Sequence, residues 1–338
     1  MKTVPVEKAE GLILCHDITE IKDGGKGPGF RRGHVVRRED IPHLLRIGKR
    51  HLYVWDTEPG LVHEDDAARR IAAAISGPGT CCTGPCEGRV NLTAACQGQL
   101  TVHLDLLAQL NSIPHVTIAT KRALREVRPG EILAGTRVIP LAVPESTVAL
   151  VENCCKNTEP LLAVQPFLPL RAGIVITGSE VYSGKVEDAF GPVLRRKFAA
   201  WGSPVIFQEI VPDEPGLTAD AIRRALSNGA QLVVVSGGMS VDPDDKTPAA
   251  IRAVGGEVIT YGAPVFPGAM FMLAYRENTP ILGLPGCVMY RRATIFDVIM
   301  PRILTGRRVT PHDITSLAHG GLCASCPDCI YPHCAFGV

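Results

Sequence analysis

The sequence predicts an α/β fold whose main domain is a three-layer structure on a mainly parallel sheet. Two observations carry that prediction. From Arg171 onward, continuous apolar runs such as "GIVITG" and "AQLVVVSGG" alternate with helical periodicities. These runs are apolar on both alternations, as strands covered on both faces are. Several end in Gly-containing loops, and sheets of this kind bind ligands outside the carboxyl ends of their strands.

The elements follow in order. "GIVITG" is a strand, and "EDAFGPVLRRKFAAWG" a helix of about four turns. "SPVIFQEIV" is a strand, and "LTADAIRRALSNG" a helix with Thr218 as its N-cap. "AQLVVVSGG" is a buried strand, and "TPAAIRAVGG" a helix with Pro248 in its first turn. "EVITYGAPVFPG", "MFMLAYR" and "TPILGLPG" are further strands, and "CVMYRRATIFDVIMPRIL" reads as a closing helix.

Four segments are expected. Residues 1–80 read as a small mixed α/β unit. In it "GLILCHDITEI" is a strand leading into a turn, "KDGGKGPGF" a loop, and "HEDDAARRIAAAI" a helix with acidic residues at its start. Residues 81–168 alternate apolar and polar positions as β-rich segments do, and "QPFLPL" is a linker. Residues 169–310 form the α/β domain, and 311–338 a Cys- and Pro-rich tail.

The chain has 338 residues, long enough for two or three domains. With 35 basic against 34 acidic residues it lacks the basic excess of a nucleic-acid or membrane-surface protein. No signal-peptide pattern or uninterrupted run of membrane-spanning length is expected, which points to the cytoplasm. In that compartment the twelve cysteines read as thiols or metal ligands rather than disulfides.

Three loops after strands carry the chemistry. Thr177, Gly178, Ser183 and Gly184 combine small donors with glycines, a composition suited to an anion. Gly237 and Gly238 permit close backbone approach to a ligand, and Asp242, Asp244 and Asp245 follow. Carboxylates beside a phosphate site make sense with a divalent metal between them, such as Mg²⁺ held by Asp245 and Asp242. Either Asp244 or Asp245 is also expected to cap the next helix. Pro285 and Gly286 open a helix after the last strand, again suited to an anion. Asp213 follows the second strand.

Together these loops resemble the molybdopterin-binding domain shared by molybdopterin adenylyltransferases and molybdenum insertases. "YSGKVEDAFGPVL" is similar to that family's first loop, "VPDEPG" to its second, "SGGMSVDPDDKTP" to its third and "GLPGC" to its last turn. "GGMSV" looks like the insertase branch, and "DDKTP" like the adenylyltransferase branch. "VEKAEGLILCHDI" and the segment from Phe30 to Val54 look like extra segments of insertases.

The resemblance implies molybdenum-cofactor biosynthesis by a transferase of the molybdotransferase type. Molybdopterin or its adenylylated form would bind with its terminal phosphate on Gly237, Gly238, Ser240 and the Ser183–Gly184 loop. Asp213 and Asp245 match acidic positions that hold Mg²⁺ and support nucleotide chemistry, and Asp188 matches the acid of the first loop. Molybdate would be the second substrate. The family also implies a homo-oligomer. The alternative is a non-catalytic molybdopterin-binding carrier or sensor serving a partner molybdoenzyme.

Cys323, Cys326, Cys329 and Cys334 are spaced C-x2-C-x2-C-x4-C, which reads as a metal site for zinc or an iron–sulfur cluster. Cys81, Cys82, Cys86 and Cys96 are less regular, and Cys154-Cys155 reads as partly buried strand or helix.

Overall fold

The computed structural model describes residues 2–22, 25–55, 59–240 and 245–337. They form two compact units, one of Met1–Ala95, Val102–Lys121 and Pro129–Ala163, the other of Cys96–Thr101, Arg122–Arg128 and Val164–Val338.

In the first unit, Leu14, Ile18, Leu44 and Leu52 build a small core. Strand Ile18–Lys22 pairs antiparallel with Gly25–Phe30, so "GKGPGF" is not the loop its glycines suggest, and residues 23–24 of "KDGGKGPGF" lie outside the described residues. Residues 25–30 take an extended conformation because a partner strand satisfies their backbone, a tertiary effect that local composition does not carry. Helix Glu64–Ile75 has Glu64, Asp65 and Asp66 in its first turn, where the helix dipole favours negative charge. It buries Ala67, Ala68, Ile71, Ala72 and Ile75. Arg70 leaves this helix to reach Glu145 (2.7 Å) and Glu152 (2.8 Å), both on helix Glu145–Cys155. Trp55 lies under the guanidinium of Arg32, 5.3 Å from the ring centroid.

The second unit contains the expected mainly parallel sheet, together with residues 96–101, 122–128 and 164–168 from the segment read as β-rich and the Cys-rich tail. Its strands are β1 Ala172–Thr177, β2 Val205–Val211, β3 Leu232–Ser236, β4 Glu257–Tyr261, β5 Met272–Arg276 and β6 Thr279–Leu284. Their order across the six-stranded sheet is β2-β1-β3-β6-β5-β4. The pairs β2/β1, β1/β3 and β3/β6 are parallel, while β5 and β4 run antiparallel to their neighbours. The helices are α1 Ser179–Tyr182, α2 Phe190–Ala200, α3 Pro215–Ser227, α4 Thr247–Ala253, α5 Cys287–Tyr290, α6 Ile295–Leu304 and α7 Pro311–Thr315.

Strand alternation sorts the core into two faces. Ile174, Ile176, Leu232, Val234 and Leu282 pack with Leu194 and Phe198 of α2 and with α6. Val175, Val233, Val235 and Ile281 face the other way, against Ile222 of α3 and Ile251 of α4. Three layers result. On the first face Phe198, Trp201 and Phe296 meet edge to face. The Trp201 indole N–H donates to Glu126 Oε2 (3.1 Å).

Three expectations are corrected. Helix α2 has 11 residues, nearer three turns than four. Thr218 is buried inside α3 and caps nothing, because the helix starts earlier with Pro215 in its first turn. The closing helix is two helices. Thr294 caps α6, its Oγ1 accepting the Phe296 N–H (3.2 Å) while Asp297 Oδ2 accepts the Thr294 N–H (2.8 Å). That reciprocal box starts a new helix where the periodicity ran on.

Candidate functional site

The parallel register sets the carboxyl ends of β1, β2, β3 and β6 side by side: Thr177 pairs with Val211, Ile176 with Ser236, and Ser236 with Leu284. All four motif loops therefore leave one edge of the sheet.

The first loop turns at once into the short helix α1. Gly178 precedes it at φ +154 and Gly184 follows it at φ +73. Ser183 donates its hydroxyl to the Glu180 carbonyl (3.2 Å). Asp213, in the loop after β2, accepts the Ser179 N–H at Oδ2 (2.7 Å), and the Asp213 N–H donates to Ser179 Oγ (3.2 Å). The two loops are thus latched to each other, and Asp213 holds an otherwise unpaired amide at the start of α1.

Asp188 serves α2 in the same way. Its Oδ1 accepts the N–H groups of Phe190 (2.9 Å) and Gly191 (3.0 Å). A Cβ on Gly191 would stand 2.3 Å from Asp188 Oδ2 and 2.5 Å from Gln208 Nε2, so both side chains would have to give way to any larger residue.

The third loop crosses over β1. Gly237 and Gly238 adopt φ +96 and +57. A Cβ on Gly237 would meet the Thr177 carbonyl oxygen at 2.1 Å, and one on Gly238 the Thr247 hydroxyl at 2.9 Å. Thr247 Oγ1 donates to the Gly237 carbonyl (2.9 Å) and lies 3.5 Å from Thr177 Oγ1. Beneath this turn the Ser236 hydroxyl is buried with no hydrogen-bond partner among the described residues. A buried unpaired hydroxyl is costly. Sequence reading passed over Ser236, although a lone small polar residue closing an apolar strand before Gly-Gly was the available signal. Met239 is buried, and its sulfur lies where a Gly283 Cβ would come within 2.7 Å, so the Met of "GGMSV" plugs the loop onto the sheet.

Asp245 accepts the Ser240 N–H at Oδ2 (2.6 Å), closing the loop on itself. It does not cap α4, which has no side-chain cap among the described residues, and Asp244 lies outside them. Asp242 also lies outside them. After β6, Gly286 has an ordinary helical φ of −55 and Pro285 accepts the Val288 N–H (3.1 Å). That turn is shaped by the helix start rather than by glycine freedom.

Among the described residues, no group of three or more His, Cys, Asp or Glu side chains is gathered as a metal ion requires. An ionised carboxylate that accepts one amide keeps lone pairs for a cation. Mg²⁺ typically takes one or two carboxylates and completes its shell with phosphate and water. The donors at Asp213 and Asp245 fit that chemistry. The tail cysteines are all free thiols, with Cys326 exposed and Cys323, Cys329 and Cys334 half-buried. Cys81, Cys82 and Cys86 are exposed. Cys155 ends helix Glu145–Cys155, as helix material, with its thiol pushed up to about 11 by burial. No helix among the described residues is long and apolar enough to cross a membrane.

Residues 173–305 match the family described as "Probable molybdopterin binding domain", and residues 3–56 match a domain of unknown function. Over 217 residues the chain is 25% identical to a molybdopterin molybdenumtransferase of Haemophilus influenzae, covering 61% of this chain and 50% of that protein. Over 90 residues it is 37% identical to a CinA-like protein of a Mycobacterium species, covering 26% of this chain and 21% of that one. In the solved structure of the molybdopterin biosynthesis enzyme MoaB from Thermus thermophilus, 98% of that chain aligns with 41% of this one, at 22% identity and a TM-score of 0.33. The chain spans 50% of the length of the molybdenumtransferase and 21% of the CinA-like protein.

Proposed function

We propose that this molybdopterin-binding domain holds molybdopterin or its adenylylated form at the shared edge of β1, β2, β3 and β6, and inserts molybdate there in molybdenum-cofactor biosynthesis. The observation that carries the reading is the Gly237–Gly238 turn. It folds over Thr177 and above the Ser236 hydroxyl, which has no partner among the described residues, with the loops bearing Ser183, Gly184 and Asp213 leaving the same edge. Small residues, backbone amides and helix starts form the usual setting for a phosphate. Mg²⁺ held by Asp245 and Asp213 would neutralise charge as the adenylyl bond is hydrolysed. The protein's own residues position the pterin phosphate and keep the loops together. The family likeness also supports a homo-oligomer and a molybdoenzyme that receives the product.

A second reading, a carrier that binds the pterin without reacting it, draws on one observation. Asp188, Asp213 and Asp245 each accept backbone amides, so each has a structural task in its loop. One assay separates the two. Protein loaded with adenylylated molybdopterin is given molybdate and Mg²⁺, and AMP is measured beside the Asp245→Asn variant. Insertion predicts AMP release that the variant slows. Tight pterin binding with no AMP release would leave the carrier, and absence of pterin binding would remove both.

A further inference from the structure

The cysteine tail is a built loop. The Gly337 N–H donates to the Gly320 carbonyl (2.9 Å), so the chain between them is closed at its ends. At its start the Cys323 N–H donates to the Phe266 carbonyl (2.8 Å), and the Phe266 N–H to the Gly321 carbonyl (2.7 Å). Further along, the Tyr331 hydroxyl donates to the Asp297 carbonyl of α6 (2.9 Å), and Phe336 is buried in the core beneath the first face of the sheet. Glycine is required at both closures. A Cβ on Gly321 would stand 2.4 Å from the Pro264 carbonyl oxygen, and one on Gly337 2.5 Å from Val298.

Between these anchors the loop has almost no regular secondary structure. It walls a cavity of about 380 Å³, and Cys323, Cys326, Cys329 and Cys334 all line it, with Arg291 and Arg292 on the facing segment. Cys323 and Cys334 also pack against the core of the sheet's first face, and Cys323 Sγ accepts the Ser325 N–H (3.4 Å).

We propose that this cavity is the seat of an iron–sulfur cluster ligated by these four cysteines. The repeated C-x2-C spacing is of the kind that iron–sulfur ligation uses, and such a cluster takes four cysteine thiolates. Its thiolate-ligated core is anionic, and Arg291 and Arg292 supply the opposite charge. The proposal stands apart from the pterin reading, since it rests on none of the strand-end loops.

The test uses the full chain, purified anaerobically and reconstituted with ferrous iron and sulfide. The expected result is a brown protein with iron and acid-labile sulfide in equal amounts and a visible absorption that dithionite bleaches. Both should fall to background in a Cys326→Ser/Cys329→Ser variant and persist in Cys81→Ser/Cys82→Ser. Cys326 is exposed, so serine there leaves the core packing intact. The wild-type reconstitution tests the site whatever the variants do. Zinc in place of iron, a colourless and sulfide-free wild type, or an unchanged cluster content in the tail variant would each overturn the proposal.

Discussion

Replacing Gly237 by alanine tests both the packing of the third loop and its part in binding. The added Cβ would stand 2.1 Å from the Thr177 carbonyl oxygen and 2.6 Å from its hydroxyl. Carbon–oxygen contacts settle near 3.3–3.6 Å, so about 1.2 Å must be found by moving the loop or the end of β1. Overpacking of this kind costs about 1–3 kcal/mol. The backbone at φ +96 adds about 1–2 kcal/mol for a residue with a Cβ. The sum is about 2–5 kcal/mol, which for a unit of this size lowers the melting temperature by roughly 4–20 °C. Gly184→Ala is the control. It has a comparable φ of +73 but nothing within 4 Å of a Cβ, so only the strain remains. That strain is partly offset by about 0.4–1 kcal/mol of lost freedom in the unfolded chain. Thermal melts of the two variants, with molybdopterin titrations alongside, give the comparison. Equal melting temperatures would refute the packing argument. A destabilised Gly237→Ala protein that still binds molybdopterin with wild-type affinity would refute the placement of the pterin.

Two further outcomes are expected. Asp188→Ala removes the acceptor for two amides at the start of α2 and should cost about 1 kcal/mol by urea denaturation. A variant of wild-type stability would return Asp188 to the list of reacting groups. Arg70→Met should lower stability slightly at about pH 7, and by progressively less as the pH falls below the ordinary carboxylate range. Hydrogen bonds from Arg70 hold Glu152 and Glu145 below that range. A depressed folded value means stabilisation present above the ordinary carboxylate pKa and lost as pH falls through the depressed one. A loss that does not shrink as the pH falls would contradict the ion-pair origin.

The sheet was legible because burial on both faces leaves continuous apolar runs, as in Ala172–Thr177 and Leu232–Ser236. The shared edge of the candidate site's loops followed from the same fact, since parallel strands send their following loops off one edge. What sequence could not carry was the direction of side chains. Asp188 and Asp213 looked like free acids and Asp245 like a metal ligand or helix cap, yet each points back at an amide of its own or the neighbouring loop. Met239 looked like a branch marker in a motif and is a packing residue against Gly283. The missed break before α6 was available in principle, because Thr294 and Asp297 have capping-box spacing. The strand Gly25–Phe30 was not, because its extended form depends on a partner that composition does not name.

The two tryptophans of the chain fall one to each unit. Trp55 is 44% exposed and Trp201 only 7%. Their fluorescence is therefore separable: Trp55 emits as a wet indole and Trp201 as a dry one. Trp201→Phe and Trp55→Phe would make each unit an independent optical channel, so that unfolding or ligand capture in one is followed without the other. Trp201 belongs to the same unit as the cysteine-lined cavity. A chromophore seated there would dim the dry channel on loading, turning the buried indole into a built-in gauge of occupancy.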